Sequence, residues 1–293
     1  MERISEQALL LGPRKSLVGV MSQSATHPPP PDRPVVVILN SGIIHRVGPN
    51  RMSVTLARTL AARGFAVLRF DLSGIGDSEP RADVLPPLEA AFADIREALD
   101  SLEASRGPVK VVLAGLCSGA DHSALYGGTD PRVVGLVLLD PSVPRTRRYY
   151  VNHYAPRMLR ASSWSALVQG RHPLWRELKN RISMAPKEGA FDGRLIDTPE
   201  VRAILERGYK GSVVSGIRML AVCTADRDSR LNYREQLLEA FPTVDFGSSL
   251  RLEYFEDADH TFTAHAQRSR LIELIVQWIT STTFKGCESV AKR

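Results

Sequence analysis

The sequence predicts an α/β fold: a mainly parallel sheet with helices on both faces and a helical cap inserted past the middle of the chain. Two observations carry that expectation. Short apolar runs rich in β-branched residues, among them 35–39, 109–114 and 133–139, alternate with longer stretches of helical periodicity. Such alternation calls for parallel strands buried on both faces and joined by crossover helices. Most of these runs also end in turns rich in Gly, Asp or Ser, and open α/β sheets gather their chemistry at the carboxyl ends of their strands.

The elements follow in order. Two apolar runs within 6–22, separated by Gly12 and Pro13, read as an antiparallel hairpin. Four prolines from Pro28 to Pro31 make a stiff connector that cannot enter a sheet. After the strand at 35–39 and a loop, a helix is expected from an N-cap at Asn50 to Arg63. Met52, Leu56, Leu60 and Val54, Ala57, Ala61 take helical spacing there, and Gly64 ends it. A strand at 65–70 runs into Asp71-Leu72-Ser73-Gly74-Ile75-Gly76-Asp77-Ser78, and a helix covers 88–104. The strand at 109–114 meets Gly115-Leu116-Cys117-Ser118-Gly119, after which a helix opens; the next strand is 133–139.

From 142 to 216 the pattern changes to short helical pieces without strand signal, too long for a loop. This segment reads as the cap, leaving a core of 1–141 and 217–293. Strand character returns at 217–223, followed by Asp226 and Asp228. A helix is expected at 231–241, a last strand at 250–255 and a closing amphipathic helix at 264–280.

Composition narrows the class further. Hydrophobic content of 43% and charged content of 24% fit a soluble protein with a sizeable core. Three cysteines cannot all pair, and their spacing matches neither a disulfide framework nor a metal site. A cytoplasmic location is the expectation, supported by an N-terminus without the apolar run of a signal peptide. No apolar stretch approaches the ~20 residues that span a bilayer. His27, His45, His122, His153, His172 and His265 are scattered, and Gly74-Ile75-Gly76 lacks the spacing of a phosphate cradle. No metal or organic cofactor is expected.

Net charge is +6, and the segment 142–216, with 14 Lys/Arg against 6 Asp/Glu, holds all of the excess. Its densest cluster is Arg145, Arg147, Arg148, Arg157 and Arg160, interleaved with Tyr149, Tyr150 and Tyr154. A basic, aromatic stretch can face nucleic acid. Here it lies where a cap would shape a substrate pocket, so Arg145, Arg148 and Tyr150 are candidate substrate contacts and no nucleic-acid partner is expected. Trp164 and Trp175 read as cap core or pocket wall.

Strand, G-x-C-x-G, then helix is the context of a nucleophile elbow. Its flanking positions must be small, and the central residue is strained so that its side chain stands above the sheet edge. Cys117 is that residue. Past two later strands come Asp226 and His260, giving the order nucleophile, acid, histidine. Such a set lets the thiol attack a carbonyl, the imidazole carry the proton and the acid hold the imidazole tautomer. Asp228 competes with Asp226 for the acid's place, while Asp259 reads as a turn residue. The backbone N–H of Ser118 is one expected oxyanion donor. Ile43, after the strand at 35–39, is the second, with Gly42 its neighbouring alternative.

These motifs resemble the α/β-hydrolase superfamily over nearly the whole chain. Asp71-Leu72-Ser73-Gly74-Ile75-Gly76-Asp77-Ser78 is similar to its D-x-x-G-x-G-x-S turn, Gly115 to Ala120 to its elbow, and Asp259-His260-Thr261-Phe262 to its histidine loop. Arg46-Val47-Gly48-Pro49-Asn50-Arg51 resembles the post-oxyanion stretch of cysteine-elbow bacterial hydrolases related to the serine aminopeptidase branch, some of them associated with exosortase systems. Asn40-Ser41-Gly42 replaces the usual His-Gly of the oxyanion loop, and cysteine replaces the usual serine, as in dienelactone hydrolases. The resemblance implies an α/β-hydrolase fold and an enzyme that cleaves an ester or thioester through an acyl-cysteine. The thioester chemistry of that intermediate also admits an acyltransferase or aminoacyltransferase fed by a carrier protein or coenzyme A. A silent binding module is the third reading.

Overall fold

The computed structural model describes residues 2–158, 197–225 and 231–284. Among them eight strands form one sheet: β1 (Ile4–Leu11), β2 (Leu17–Ser24), β3 (Val35–Ile38), β4 (Val67–Phe70), β5 (Val111–Leu116), β6 (Val133–Leu139), β7 (Arg218–Thr224) and β8 (Leu250–Phe255). Their spatial order is β1-β2-β4-β3-β5-β6-β7-β8. The expected hairpin is present, and β2 runs antiparallel to both β1 and β4. From β4 across to β8 every pairing is parallel.

The helices are α1 (Met52–Ala61), α2 (Pro87–Arg106), α3 (Ser118–Gly127), α4 (Arg147–Met158), α5 (Pro199–Val214), α6 (Gln236–Ala240) and α7 (His265–Ser281). Parallel strands buried on both faces distribute alternate residues to two cores. Val35, Val37 and Leu113 join one apolar layer with Ile95, Leu99 and Leu102 of α2 and Leu205 and Tyr209 of α5. Val36, Ile38 and Val112 join the other, with Leu56 and Leu60 of α1 and Leu271 and Ile275 of α7. Each such large side chain, removed from water, adds roughly 1.5–3 kcal/mol.

Three expectations need adjusting. Asn50 does not cap α1: it has φ 50° inside a short 3-10 turn, and the cap position falls to Arg51, also left-handed. The helix expected at 231–241 shortens to α6. Part of the segment assigned to the cap, α5, lies on the core: a Cβ at Gly208 would sit 2.9 Å from the Ala124 carbonyl oxygen of α3, and one at Gly128, just past α3, 2.6 Å from the Gly211 backbone. Small residues on both helices allow that approach, so α5 serves as the crossover into β7. Residues 159–196, with Arg160, Trp164, His172 and Trp175, lie outside the described residues.

Strand order reverses at β3. Its crossover through α1 leads to β4 on one side, and the next crossover, through α2, leads to β5 on the other. A crevice opens at the carboxyl ends beside such a switch point, and the candidate site lies there.

Candidate active site

Cys117 follows β5 at φ 56°, ψ −120°, with α3 starting at the next residue. Backbone crowding enforces this geometry. A Cβ on Gly115 would overlap the backbone of Gly119, and one on Gly119 would overlap the Asn40 carbonyl. The turn is pinned by Cys117 N–H donating to the Leu139 carbonyl at 2.9 Å and Asp121 N–H donating to the Cys117 carbonyl at 3.0 Å. Cys223, by contrast, is fully buried in β7, and burial pushes its thiol well up from the ordinary range. Of these two free thiols, Cys117 is the one with access to the crevice.

His260 lies after β8, and its Nδ1 stands 2.9 Å from Oδ2 of Asp140. The ring also hydrogen-bonds the Cys117 sulfur. With Nδ1 on the carboxylate, Nε2 is the nitrogen left for the sulfur. The bond to Asp140, then that to Cys117, raises the His260 pKa to about 10 against the opposing effect of burial. Both interactions favour the protonated imidazole.

Among the described residues, the carboxylate that meets Nδ1 of His260 is thus Asp140, where the sequence pattern pointed to Asp226. Asp226 and Asp228 lie outside the described residues. Asp140 terminates β6 with φ 43° and is 7% exposed. Its Oδ1 accepts from Thr224 N–H and its Oδ2 from Thr224 Oγ1, both at 2.6 Å, so the end of β7 aims it at His260. A carboxylate just past a strand end was a signal available at Asp140 too.

Side-chain bonds shape the histidine loop. Asp259 accepts from Thr263 N–H at 2.7 Å and from the Thr261 and Thr263 hydroxyls, the turn role expected of it. Phe262, fully buried at φ 51°, anchors the loop in the core. Of six non-glycine residues with positive φ among the described residues, three (Cys117, Asp140 and Phe262) sit at or beside this constellation. Backbone strain of this kind, about 1–3 kcal/mol per residue, persists where surrounding structure over-determines it, commonly at functional sites.

The loop after β3 faces the start of α3. Asn40, which stands where the fold usually has histidine, is buried and ties two loops together. Its Nδ2 donates to the Ile44 carbonyl and to Asp71, and its Oδ1 accepts from Leu72 N–H at 2.7 Å. Arg46 neutralises the fully buried Asp71 and reaches Asp77 at 2.6 Å. Ser118 is the first residue of α3, and Gly42 N–H donates to its hydroxyl at 2.7 Å. Ile43 occupies the tip of the turn and is 93% exposed.

The candidate substrate contacts are spoken for in part. Arg145 pairs with Asp197 at 3.4 Å and lies over the Tyr149 ring. Arg148 pairs with Glu239 at 3.0 Å and covers Tyr233. Both cations thus have a carboxylate partner within the protein. Tyr150 is half-exposed, stacked on Tyr154. Among the described residues no group of His, Cys, Asp and Glu could hold a metal, and no helix is long and apolar enough to cross a membrane.

The model of the alpha/beta hydrolase family matches residues 36–273, spanning every element of the site. The chain belongs to the alpha/beta hydrolase family. Solved structures repeat its fold at low identity. An alpha-beta serine hydrolase homologue from Coxiella burnetii shares 18% identity at a TM-score of 0.57, covering 94% of this chain and 97% of that one. Est1E from Butyrivibrio proteoclasticus shares 14% at 0.59, covering 93% and 97%. A meta-cleavage product hydrolase from Pseudomonas fluorescens shares 15% at 0.56, covering 94% and 98%. No curated protein matches the sequence.

Proposed function

We propose that this member of the alpha/beta hydrolase family cleaves an ester or thioester through an acyl-cysteine at Cys117. The observation that carries the reading is one imidazole, His260, bonded to Asp140 on one side and to the Cys117 sulfur on the other. In the first half-reaction the sulfur adds to the substrate carbonyl. The oxyanion formed is met by N–H groups of Ser118 and Ile43. The carbonyl then reforms, the C–O or C–S bond to the leaving group breaks, and His260 gives that group its proton. In the second half, His260 takes a proton from water as the water attacks the thioester, and the Cys117 sulfur departs. Asp140 keeps the ring oriented and stabilises its charge throughout.

The thiol nucleophile favours a second outcome, because an acyl-cysteine passes its acyl group to an amine or another thiol at little thermodynamic cost. We keep acyl transfer from a carrier protein or coenzyme A as that alternative, although the internal pairing of Arg145 and Arg148 weakens the case for an acidic donor at those positions. The elbow chemistry fits cysteine-elbow hydrolases related to the serine aminopeptidase branch. A soluble cytoplasmic enzyme without metal or organic cofactor remains our reading.

Intact-protein mass spectrometry after mixing with a panel of acyl thioesters and esters tests this. The parent should gain an acyl mass that Cys117→Ala never gains, and His260→Ala should acylate at least ~1000-fold more slowly. Release of the adduct by water alone means hydrolysis; release only with added amine or thiol means transfer. A parent that no acyl donor labels at Cys117 would return the chain to the binding-module reading.

A further inference from the structure

The hydroxyl of Ser118, at the start of α3, accepts a hydrogen bond from the loop after β3. Residues Ser41 to Ile44 form a tight turn closed by Ile44 N–H donating to the Ser41 carbonyl at 3.0 Å. Gly42, second in the turn, takes φ 54°, while Ile43 stays outside the left-handed region. That pattern is a type II′ turn with glycine at its first central position. The base of the turn is held by Asn40 Nδ2 on the Ile44 carbonyl at 2.9 Å. Its tip stands in the open, with nothing within 4 Å of a Cβ on Gly42 and with Ile43 in solvent. Among the described residues, the hydrogen bond that ties this tip to the rest of the site is Gly42 N–H to Ser118 Oγ, 2.7 Å long.

We infer that the Ser118 hydroxyl latches the Ser41–Ile44 turn onto the start of α3, so that the N–H groups of Ile43 and Ser118 converge on the oxyanion beside Cys117. The inference rests on the acyl-cysteine reading above. Its physical basis is that oxyanion donors act only when held in place before charge develops. The bond also consumes the Gly42 N–H, which leaves Ile43, the next peptide N–H, as the donor on this side. Ser118 is on this account a positioning residue through its side chain, immediately following the nucleophile in sequence yet acting on a loop 76 residues away.

The test compares the parent with Ser118→Ala and Ser118→Thr in three measurements. The first is turnover of p-nitrophenyl acetate. The second is site-resolved alkylation of Cys117 by iodoacetamide, a displacement at carbon that forms no oxyanion. The third is amide exchange at Gly42. Ser118→Ala should lose roughly 10- to 100-fold in kcat with little change in KM, part of the 10²–10³ that deleting a whole donor removes. Its alkylation rate should stay near the parent's, and Gly42 exchange should accelerate. Ser118→Thr, which keeps the oxygen, should recover most of both changes. Turnover of Ser118→Ala equal to the parent's, alkylation falling in step with turnover, or unchanged Gly42 exchange would each overturn the latch. If the parent itself shows no Cys117-dependent turnover, the acyl-cysteine reading fails, and the exchange measurement still decides whether the hydroxyl holds the turn.

Discussion

The elbow and the acid–histidine pair meet at one sulfur but are held by different forces. At the elbow, backbone packs on backbone: Gly115 against Gly119 and Gly119 against Asn40, with no room for a side chain at either contact. Across the crevice, His260 is placed by side chains, with Asp140 on its ring and Thr224 on Asp140. Steric exclusion by backbone is stiff and all-or-none. A chain of hydrogen bonds is graded, because each removed partner leaves the others partly in place. The position of Cys117 should therefore break abruptly on substitution, and that of His260 should degrade by degrees.

The largest effect is expected from Gly115→Ala. The added methyl must displace α3 or β5, which should destabilise the fold by about 3 kcal/mol or more and abolish acylation of Cys117. Chemical denaturation and the acyl-mass assay read both. A variant that melts like the parent and still acylates would mean that the elbow yields more than its contacts suggest.

Asp140→Asn comes next. It keeps the shape of the site but removes the charge that orients and stabilises the His260 imidazolium, so kcat should fall by roughly 10³–10⁴. Asp226→Asn, run in parallel, should fall far less; the reverse ranking would hand the acid's role back to Asp226. Stability should respond to pH with a definite sign. His260 is raised from 6.5 to about 10 in the folded protein. Its stabilisation is therefore fully present below about 6.5 and is lost as pH rises through about 10. The melting temperature of the parent should exceed that of Asp140→Asn most on the acid side of this window, and the gap should narrow toward pH 10.

Asn40→Ala should cost about 2 kcal/mol, because Leu72 N–H and the Ile44 carbonyl lose a partner. Activity should drop with it as the oxyanion turn loosens. Thr224→Val is the mildest change. It deletes the hydroxyl donor to Asp140 but retains the backbone one, so stability should fall by about 1 kcal/mol and kcat by several-fold. A Thr224→Val variant as inactive as Asp140→Asn would show that the acid has one essential support rather than a graded set.

How much of the site was legible in the sequence follows from the same distinction. Every contact that shapes the elbow, apart from Asn40 and Leu139, lies within a few residues of Cys117, so a pentapeptide between an apolar run and a helix announced it. His260 was legible because it follows the last strand. Asp140 was not singled out, because nothing local distinguishes a carboxylate that ends β6 from one that follows β7. Which of them reaches His260 depends on how far the strand ends project and on the Thr224 hydroxyl across the sheet. The partners of Arg145 and Arg148 were not legible either, since Glu239 and Asp197, which meet Arg148 and Arg145, are 91 and 52 residues distant.

By itself, the sequence determined the alternation of strands and helices, the antiparallel hairpin at one edge and the strained thiol at the end of β5, all consequences of local periodicity and of residues too small to obstruct a turn. The tertiary structure alone decided that Asp140 meets His260, the pairing of Arg145 and Arg148, the packing of α5 on α3 and the hydrogen bond from Gly42 to Ser118. Each of those depends on groups far apart in the chain meeting at distances near 3 Å, and hydrogen bonds and ion pairs discriminate among candidates only at that range.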